Sequence, residues 1–335
     1  MAIWLVRAGK HGEREEDALS GNQAVIGWEE VGDMSAASTR EELAEMVRET
    51  YPADGQNTIT NWVGQLWAFR ERIQVGDLIV LPLKRRSAIA IGRCTGPYEF
   101  HAGSDVRHTR PVRWIRTDLP RSAFDQDLLY SLGAFLTVCQ ITRNNAEERI
   151  RAVVEERAVR PATDLGELVS TPTEANAPID LTQYADDQLL NFIEQKFKGH
   201  GMAQLVEGVL KATGYITSLS PPGPDGGVDI IAGRGSLGFE GPRLCVQVKS
   251  SSSPISVDVL RSLHGTMKAF GADQGLLVAW GGFKDSVRSE AKNQFFSIRL
   301  WDSGQLIRSV LENYEQLSPE IQAMLPLKRI WVLVE

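Results

Sequence analysis

Between residues 157 and 180 the sequence reads RAVRPATDLGELVSTPTEANAPID. Pro, Ala, Thr and acidic residues replace the periodic apolar positions found on either side, so neither a helical stripe nor a strand alternation can be drawn through it. This segment reads as a linker. It divides 335 residues into halves of similar size, each within the roughly 100–200 residues of an ordinary domain. A single core is thereby excluded. The expected organisation is one domain over 1–155, a linker over 156–180 and a second domain over 181–335.

Charge narrows the function classes once it is divided the same way. The chain has 36 Lys+Arg against 43 Asp+Glu, a net −7, which argues against a polybasic protein that grips nucleic acid through bulk charge. Residues 1–155 carry 19 basic and 22 acidic side chains, 156–180 carry 2 and 5, and 181–335 carry 15 and 16. The second half is near neutral and can still hold phosphate locally.

Cys94, Cys139 and Cys245 are far apart, so neither a disulfide framework nor a cysteine zinc site is expected. The opening MAIWLVRAGK meets charge at its seventh residue and reads as a strand, not a signal peptide. No apolar run approaches the roughly 20 residues that cross a bilayer. The expectation is a cytoplasmic protein. A G-x-x-x-x-G-K-S/T phosphate loop does not occur, so no use of ATP is expected.

In the first half, strands are expected at Ile3–Val6, 24–28, Asp77–Leu83, Ala88–Gly92 and Pro111–Ile115, and helices at Thr39–Thr50, Thr58–Ile73, Phe124–Leu136 and Asn144–Glu155. Trp62, Leu66 and Phe69 fall at i, i+4 and i+7 on one helical face, so Trp62 and the nearby Trp67 are read as core. Strands with short turns plus a few helices give a small α+β curved sheet or barrel.

The second half has another rhythm. Helices at Thr182–Phe197 and Met202–Thr213, the latter closed by Gly214, lead to strands Tyr215–Leu219, Val228–Ala232 and Arg243–Lys249. Helix Ser256–Phe270, strand Gly275–Trp280, helix Lys284–Phe296 and strand Ile298–Trp301 follow. The order is a β-hairpin followed by βαβ units, an α/β sheet flanked by helices.

Asp229 heads a strand after the turn PPGPDGG, and Gln247-Val248-Lys249 end the next one. Alternation puts Gln247 and Lys249 on one face and Val248 on the other. An Asp carboxylate and a Gln carbonyl can hold a divalent cation, and a nearby ammonium can stabilise charge on water or phosphate. Glu207, on the preceding helix, can add a second carboxylate. Taken by spacing alone, D-x17-Q-x-K arises by chance in most proteins, and a strand-end Lys commonly reaches solvent. Asp225 reads as a turn residue in PDGG, His264 as a helix-surface or core histidine, and Ser250–Ser253 as a loop.

The ordered runs L-K-A-T-G-Y, G-G-V-D-I-I-A, C-V-Q-V-K-S, V-D-V-L-R-S-L-H-G and G-L-L-V-A-W-G-G-F resemble the Mrr-type restriction endonuclease domain of the PD-(D/E)XK nuclease superfamily, over about residues 200–305. The resemblance implies a metal-dependent phosphodiesterase centre with its roles on Asp229, Gln247 and Lys249, and Mg²⁺ as the cofactor. The family's helix usually offers its Glu one turn earlier, where this chain has Ala203.

In the first half, I-W-L-V, G-D-L-I-V-L-P and A-I-A-I-G-R-C-T-G-P-Y-E-F resemble PUA/EVE-like barrels, which read modified bases or RNA nucleotides. A base reader needs an aromatic slot with a basic rim. Trp28, Tyr98 and Phe100 could supply the wall, and Arg7, Lys10, Lys84, Arg85, Arg86 and Arg93 the charge. Together the two resemblances imply a modification-dependent restriction nuclease of bacterial defence, acting on DNA and at least dimeric for a double-strand break. Two alternatives stay open: a nucleic-acid sensor with a degenerate nuclease fold, or a nuclease whose first domain binds RNA or a nucleotide signal.

Overall fold

The computed structural model describes residues 2–133, 136–154, 181–221 and 227–330. The expected linker over 156–180 lies outside them. Contact clustering divides the chain into two compact units, 1–185 and 186–335.

The first unit runs β1 (Ile3–Val6), α1 (Glu15–Ser20), β2 (Gln23–Ile26), α2 (Arg40–Thr50), α3 (Gln56–Trp67), β3 (Leu78–Pro82), β4 (Ala88–Cys94), β5 (Glu99–Phe100), β6 (His108–Pro120), α4 (Gln126–Leu132), β7 (Val138–Gln140) and α5 (Ala146–Val154). The strand path is β2-β6-β4-β3-β1-β7, with β5 on β6. Only β1 and β3 pair in parallel; the other pairs are antiparallel. Alternation explains how one sheet serves two cores. Trp4, Val6 and Ile79 pack with α2 and α3, whereas Ile3, Leu5, Leu78 and Val80 pack with α4 and α5. Both faces of β3 are covered, which is why its five residues are all buried.

Several elements depart from the sequence expectation. The helix begun at Gln56 widens into a π turn over Ala68–Arg72. The strand expected at Pro111–Ile115 is 13 residues long, because it pairs with β2, β4 and β5 in turn. Trp62 and Trp67 pack half-buried against the core.

The apolar run 24–28 ends as strand at Ile26, and Trp28 takes a left-handed backbone, φ 66°, an unfavourable region for a bulky side chain. A buried imidazole holds it there. His108 Nε2 lies 3.1 Å from the carbonyls of both Trp28 and Val31, and its Nδ1 lies 2.8 Å from the Tyr98 hydroxyl. Two carbonyls at Nε2 require a proton on that nitrogen, so Nδ1 accepts from Tyr98.

The second unit is built from α6 (Leu181–Lys196), whose first residues fall before the division, then α7 (His200–Ala212), β8 (Ile216–Leu219), β9 (Ile230–Arg234), β10 (Glu240–Lys249), α8 (Val257–Ala269), β11 (Gln274–Ala279), α9 (Asp285–Lys292), β12 (Ile298–Asp302), α10 (Ser303–Glu312) and α11 (Pro319–Met324). The sheet order is β12-β11-β10-β9-β8. Strands β8, β9 and β10 are antiparallel, and β10, β11 and β12 parallel. This is the expected hairpin joined to βαβ units. One face packs on α6, α7 and α10, and the other on α8 and α9. Helix α10 opens on a capping box, in which Asp302 and Gln305 satisfy each other's main-chain amides. The three cysteines are buried and none is in a disulfide. No described helix is long and apolar enough to cross a membrane.

Burial pushes the His108 imidazole below its ordinary value of 6.5. The unfolded chain takes up this proton as pH falls through about 6.5 while the folded protein resists it, so stability is lost progressively below that pH. The drop in melting temperature between pH 7 and 5.5 should therefore be larger in the wild type than in His108→Gln. That variant should be less stable at pH 7 by about 1–3 kcal/mol. Equal pH slopes in the two proteins would remove His108 from this role.

Candidate active site

Asp229 stands immediately before β9, and Gln247 and Lys249 lie at the end of β10. Leu244, Val246 and Val248 belong to the cluster of α6, α7 and α10, and Cys245 to the opposite one. Gln247 and Lys249 therefore share the face of Cys245, as alternation predicts.

The β9–β10 ladder ends with Ile230 opposite Val246. Beyond it, the Asp229 amide still donates to the Val246 carbonyl at 2.9 Å, but two further main-chain groups turn to side chains. The Val248 amide donates to Asp229 Oδ2 at 2.7 Å, and the carbonyl of Val228 accepts from the Ser220 hydroxyl at 2.7 Å. These contacts fix the Asp229 carboxylate beside the Gln247-Val248-Lys249 segment.

Gln247 is only 5% exposed, and its Oε1 has no hydrogen-bond partner. Its Nε2 lies near Gly227, where an added Cβ would stand 3.8 Å from it, 3.6 Å from Thr266 Oγ1 and 4.0 Å from Ser262 Oγ. Lys249 is half-buried. Its carbonyl accepts from the Trp280 amide at 2.8 Å, and its ammonium has no partner among the described residues. Here a buried acceptor without a donor and an unpaired cation flank an oriented carboxylate. A buried carbonyl oxygen left without a donor costs stability, and a cation would satisfy it. One carboxylate, one amide oxygen and the main chain match the sparse protein ligation that Mg²⁺ accepts when phosphate and water complete its shell. Among the described residues, no three His, Cys, Asp or Glu side chains converge on one point.

Glu207 is not brought to this group. Helix α7 covers the face of Val246 and Val248, opposite to that of Gln247. The Glu207 carboxylate accepts from Thr217 Oγ1 at 2.8 Å and pairs with Lys211 at 3.0 Å. Thr217 stands opposite Ala232, three residues along β9 from Asp229. Ala203, where the resemblance leads one to expect a Glu, is buried in the core. The sequence reading also missed Ser220, Ser262 and Thr266. Their roles depend on which strand and helix lie alongside, and local sequence carries no signal of that.

In the first unit, one member of the expected basic rim is corrected. Arg7 is buried, with Nη2 donating to the carbonyl of Leu132 at 3.4 Å, so it cannot line a surface slot. The turn carrying Lys84, Arg85 and Arg86 folds over the buried Glu15, whose carboxylate accepts from the main-chain amides of Lys84 and Arg85. Burial raises the pKa of Glu15 despite these bonds and the nearby arginines. Arg93 donates to the carbonyl of Gly76 at 2.8 Å. Lys10 is exposed.

The rings of Tyr98 and Phe100 lie 6.0 and 5.4 Å from His108, so Tyr98 acts first as a brace for that histidine. Trp28 instead meets Trp62 edge-on at 6.3 Å, and Trp62 meets Tyr51 at 5.1 Å. Trp28 thus groups with two aromatics that the sequence reading had not joined to it.

Residues 194–310 match the Mrr catalytic domain model, a restriction endonuclease family. Residues 4–130 match a domain family of unknown function. No curated protein matches the chain. Among solved structures, the chain is similar to the MspJI restriction endonuclease in complex with a 27-mer oligonucleotide, at 16% identity and a TM-score of 0.34 over 95% of this chain and 71% of that one. It is also similar to the DNA modification-dependent restriction endonuclease AspBHI, at 14% identity and a TM-score of 0.34 over 81% and 73%.

Gly227 adopts φ 87°, and a Cβ added there would stand within van der Waals distance of Gln247 and Thr266. Gly227→Ala should lower unfolding free energy by about 1–3 kcal/mol, measured by urea titration. An unchanged midpoint would show that the turn tolerates a Cβ.

Proposed function

We propose that the protein is a Mg²⁺-dependent DNA endonuclease of restriction type, in which 181–335 form the nuclease domain and 1–155 select the target, a modified base in DNA. The observation that carries the reading is the arrangement of Asp229, Gln247 and Lys249. An oriented carboxylate, a buried amide oxygen without a donor and an unpaired ammonium occur together, in residues 194–310 that match a restriction endonuclease family.

Asp229 and Gln247 would hold the cation, which when bound supplies positive charge to the scissile phosphate. The Val248 amide keeps the Asp229 carboxylate turned toward β10. Lys249 would hold the attacking water or stabilise the charge that gathers on the phosphate as the new P–O bond forms and the ester P–O bond breaks. Glu207 has no part in this mechanism, since its carboxylate is engaged by Thr217 and Lys211. One such centre cuts one strand, so a double-strand break needs two copies. Selection by the first unit is consistent with the distribution of charge, because an acidic first half disfavours indiscriminate attachment to DNA.

The test is incubation of purified protein with Mg²⁺ and either modified or unmodified DNA. Cleavage restricted to modified DNA is expected. Lys249→Ala should lose about 100- to 1,000-fold in rate. Asp229→Asn should stay folded, because its side-chain oxygen still accepts from Val248, yet lose both cleavage and Mg²⁺ binding measured by calorimetry. Cleavage surviving in Lys249→Ala would overturn the assignment. Mg²⁺ binding without cleavage of any DNA would favour a sensor built on a degenerate nuclease fold, the reading that Ala203 in place of Glu supports.

A further inference from the structure

A cavity of about 500 Å³ lies in the first unit among α2, α3, β1 and β7, lined among others by Trp4, Arg40, Asn61, Gly64, Arg72 and Gln140. Its volume falls within the roughly 300–1,000 Å³ of small-molecule sites. No acidic side chain lines it, although the first 155 residues carry more acidic than basic groups. Arg40 has no hydrogen-bond or ion-pair partner among the described residues. Arg72 lies over the ring of Trp4, its guanidinium carbon 5.1 Å from the centroid, and uses one nitrogen to donate to Gln140 Oε1 at 2.9 Å.

The amide oxygens on the wall already accept hydrogen bonds. Asn61 Oδ1 accepts from Gln65 Nε2 at 2.6 Å, and Gln65 Oε1 accepts from the amides of Thr137 and Val138. Asn61 Oδ1 and Gln140 Oε1 each already accept one bond, and the NH₂ groups of these two amides join the two guanidinium groups as donors. Gly64 keeps the floor low next to Arg40, since a Cβ there would stand 3.5 Å from the Arg40 guanidinium. Ala68, Leu136 and Val138 add apolar surface to the lining, and its charged groups are two cations with no acid among the described residues, so it favours an anion. Two guanidinium groups suit the oxygens of a phosphate.

We infer that this cleft is an anion site that receives the phosphate of a nucleotide, either free or within a DNA strand. The choice of a nucleotide rests on the nuclease reading, whereas the preference for an anion does not. The site is separate from Asp229, Gln247 and Lys249, which belong to the other unit.

The test uses the full-length Lys249→Ala protein in EDTA, so that neither cleavage nor metal contributes. Calorimetry compares 2′-deoxycytidine 5′-monophosphate, deoxycytidine and a six-nucleotide single strand. The monophosphate should bind at least about tenfold more tightly than the nucleoside, in keeping with the strength of charge-assisted hydrogen bonds. Arg40→Ala and Arg72→Ala should each weaken it about tenfold, and Arg72→Lys should restore only part of the loss, because it keeps the charge without the fork. Arg48→Ala, which removes an exposed charge outside this cleft, should change nothing. Tighter binding of the hexamer assigns the phosphate to a strand; equal or weaker binding assigns it to a free nucleotide.

Absence of binding by both the monophosphate and the hexamer would overturn the inference. So would binding indifferent to Arg40 and Arg72, or an equal loss in Arg48→Ala. If cleavage by the wild type fails while the monophosphate binds as expected, the nuclease reading falls and the anion site stands. If cleavage proceeds and neither the monophosphate nor the hexamer binds, the reverse holds.

Discussion

A strand that leaves its neighbour exposes main-chain amides, and in this protein the second unit is organised around one such amide. After Ile230 and Val246 the β9–β10 ladder ends, and the Val248 N–H passes to the carboxylate of Asp229 instead of to a carbonyl. An unpaired buried amide would be costly, so the fold itself demands an acceptor at this position. Satisfying that demand with an Asp turns a structural need into an oriented anion. That anion lies beside the segment that carries Gln247 and Lys249.

The legible part of the site was the part encoded along strands. Period-two alternation put Gln247 and Lys249 on one face of β10, and the order of elements gave the hairpin and βαβ units of the sheet. Glu207 shows where this reasoning ends. Helical spacing relates it to Ala203, but spacing does not say which face of a sheet the helix covers. Once α7 lies over Val246 and Val248, Glu207 meets Thr217 and Lys211 instead of Asp229.

Arg7 in the first unit departs from its expected place for a related reason. Arg7 finds its partner at Leu132, 125 positions away, and the Lys84–Arg86 turn closes on Glu15, about 70 positions earlier. Sequence reveals charge but not the distant group that absorbs it, so Arg7 reads as a surface cation although it is buried. Arg40 and Arg72, which lack acidic partners, drew no notice because they sit within ordinary amphipathic helical turns. The left-handed backbone of Trp28 was equally hidden. It depends on His108, 80 residues downstream, where nothing near Trp28 in the sequence hints at positive φ.

The state of the three cysteines has a practical consequence. Cys94, Cys139 and Cys245 are all enclosed by their cores, and burial holds the Cys245 thiol above its ordinary pKa, further from the reactive thiolate. The folded chain therefore offers no accessible native thiol to a maleimide. A cysteine introduced at an exposed position becomes the only one such a reagent finds. Fluorescent or spin labels can be attached to either unit without first stripping the native cysteines from the interior.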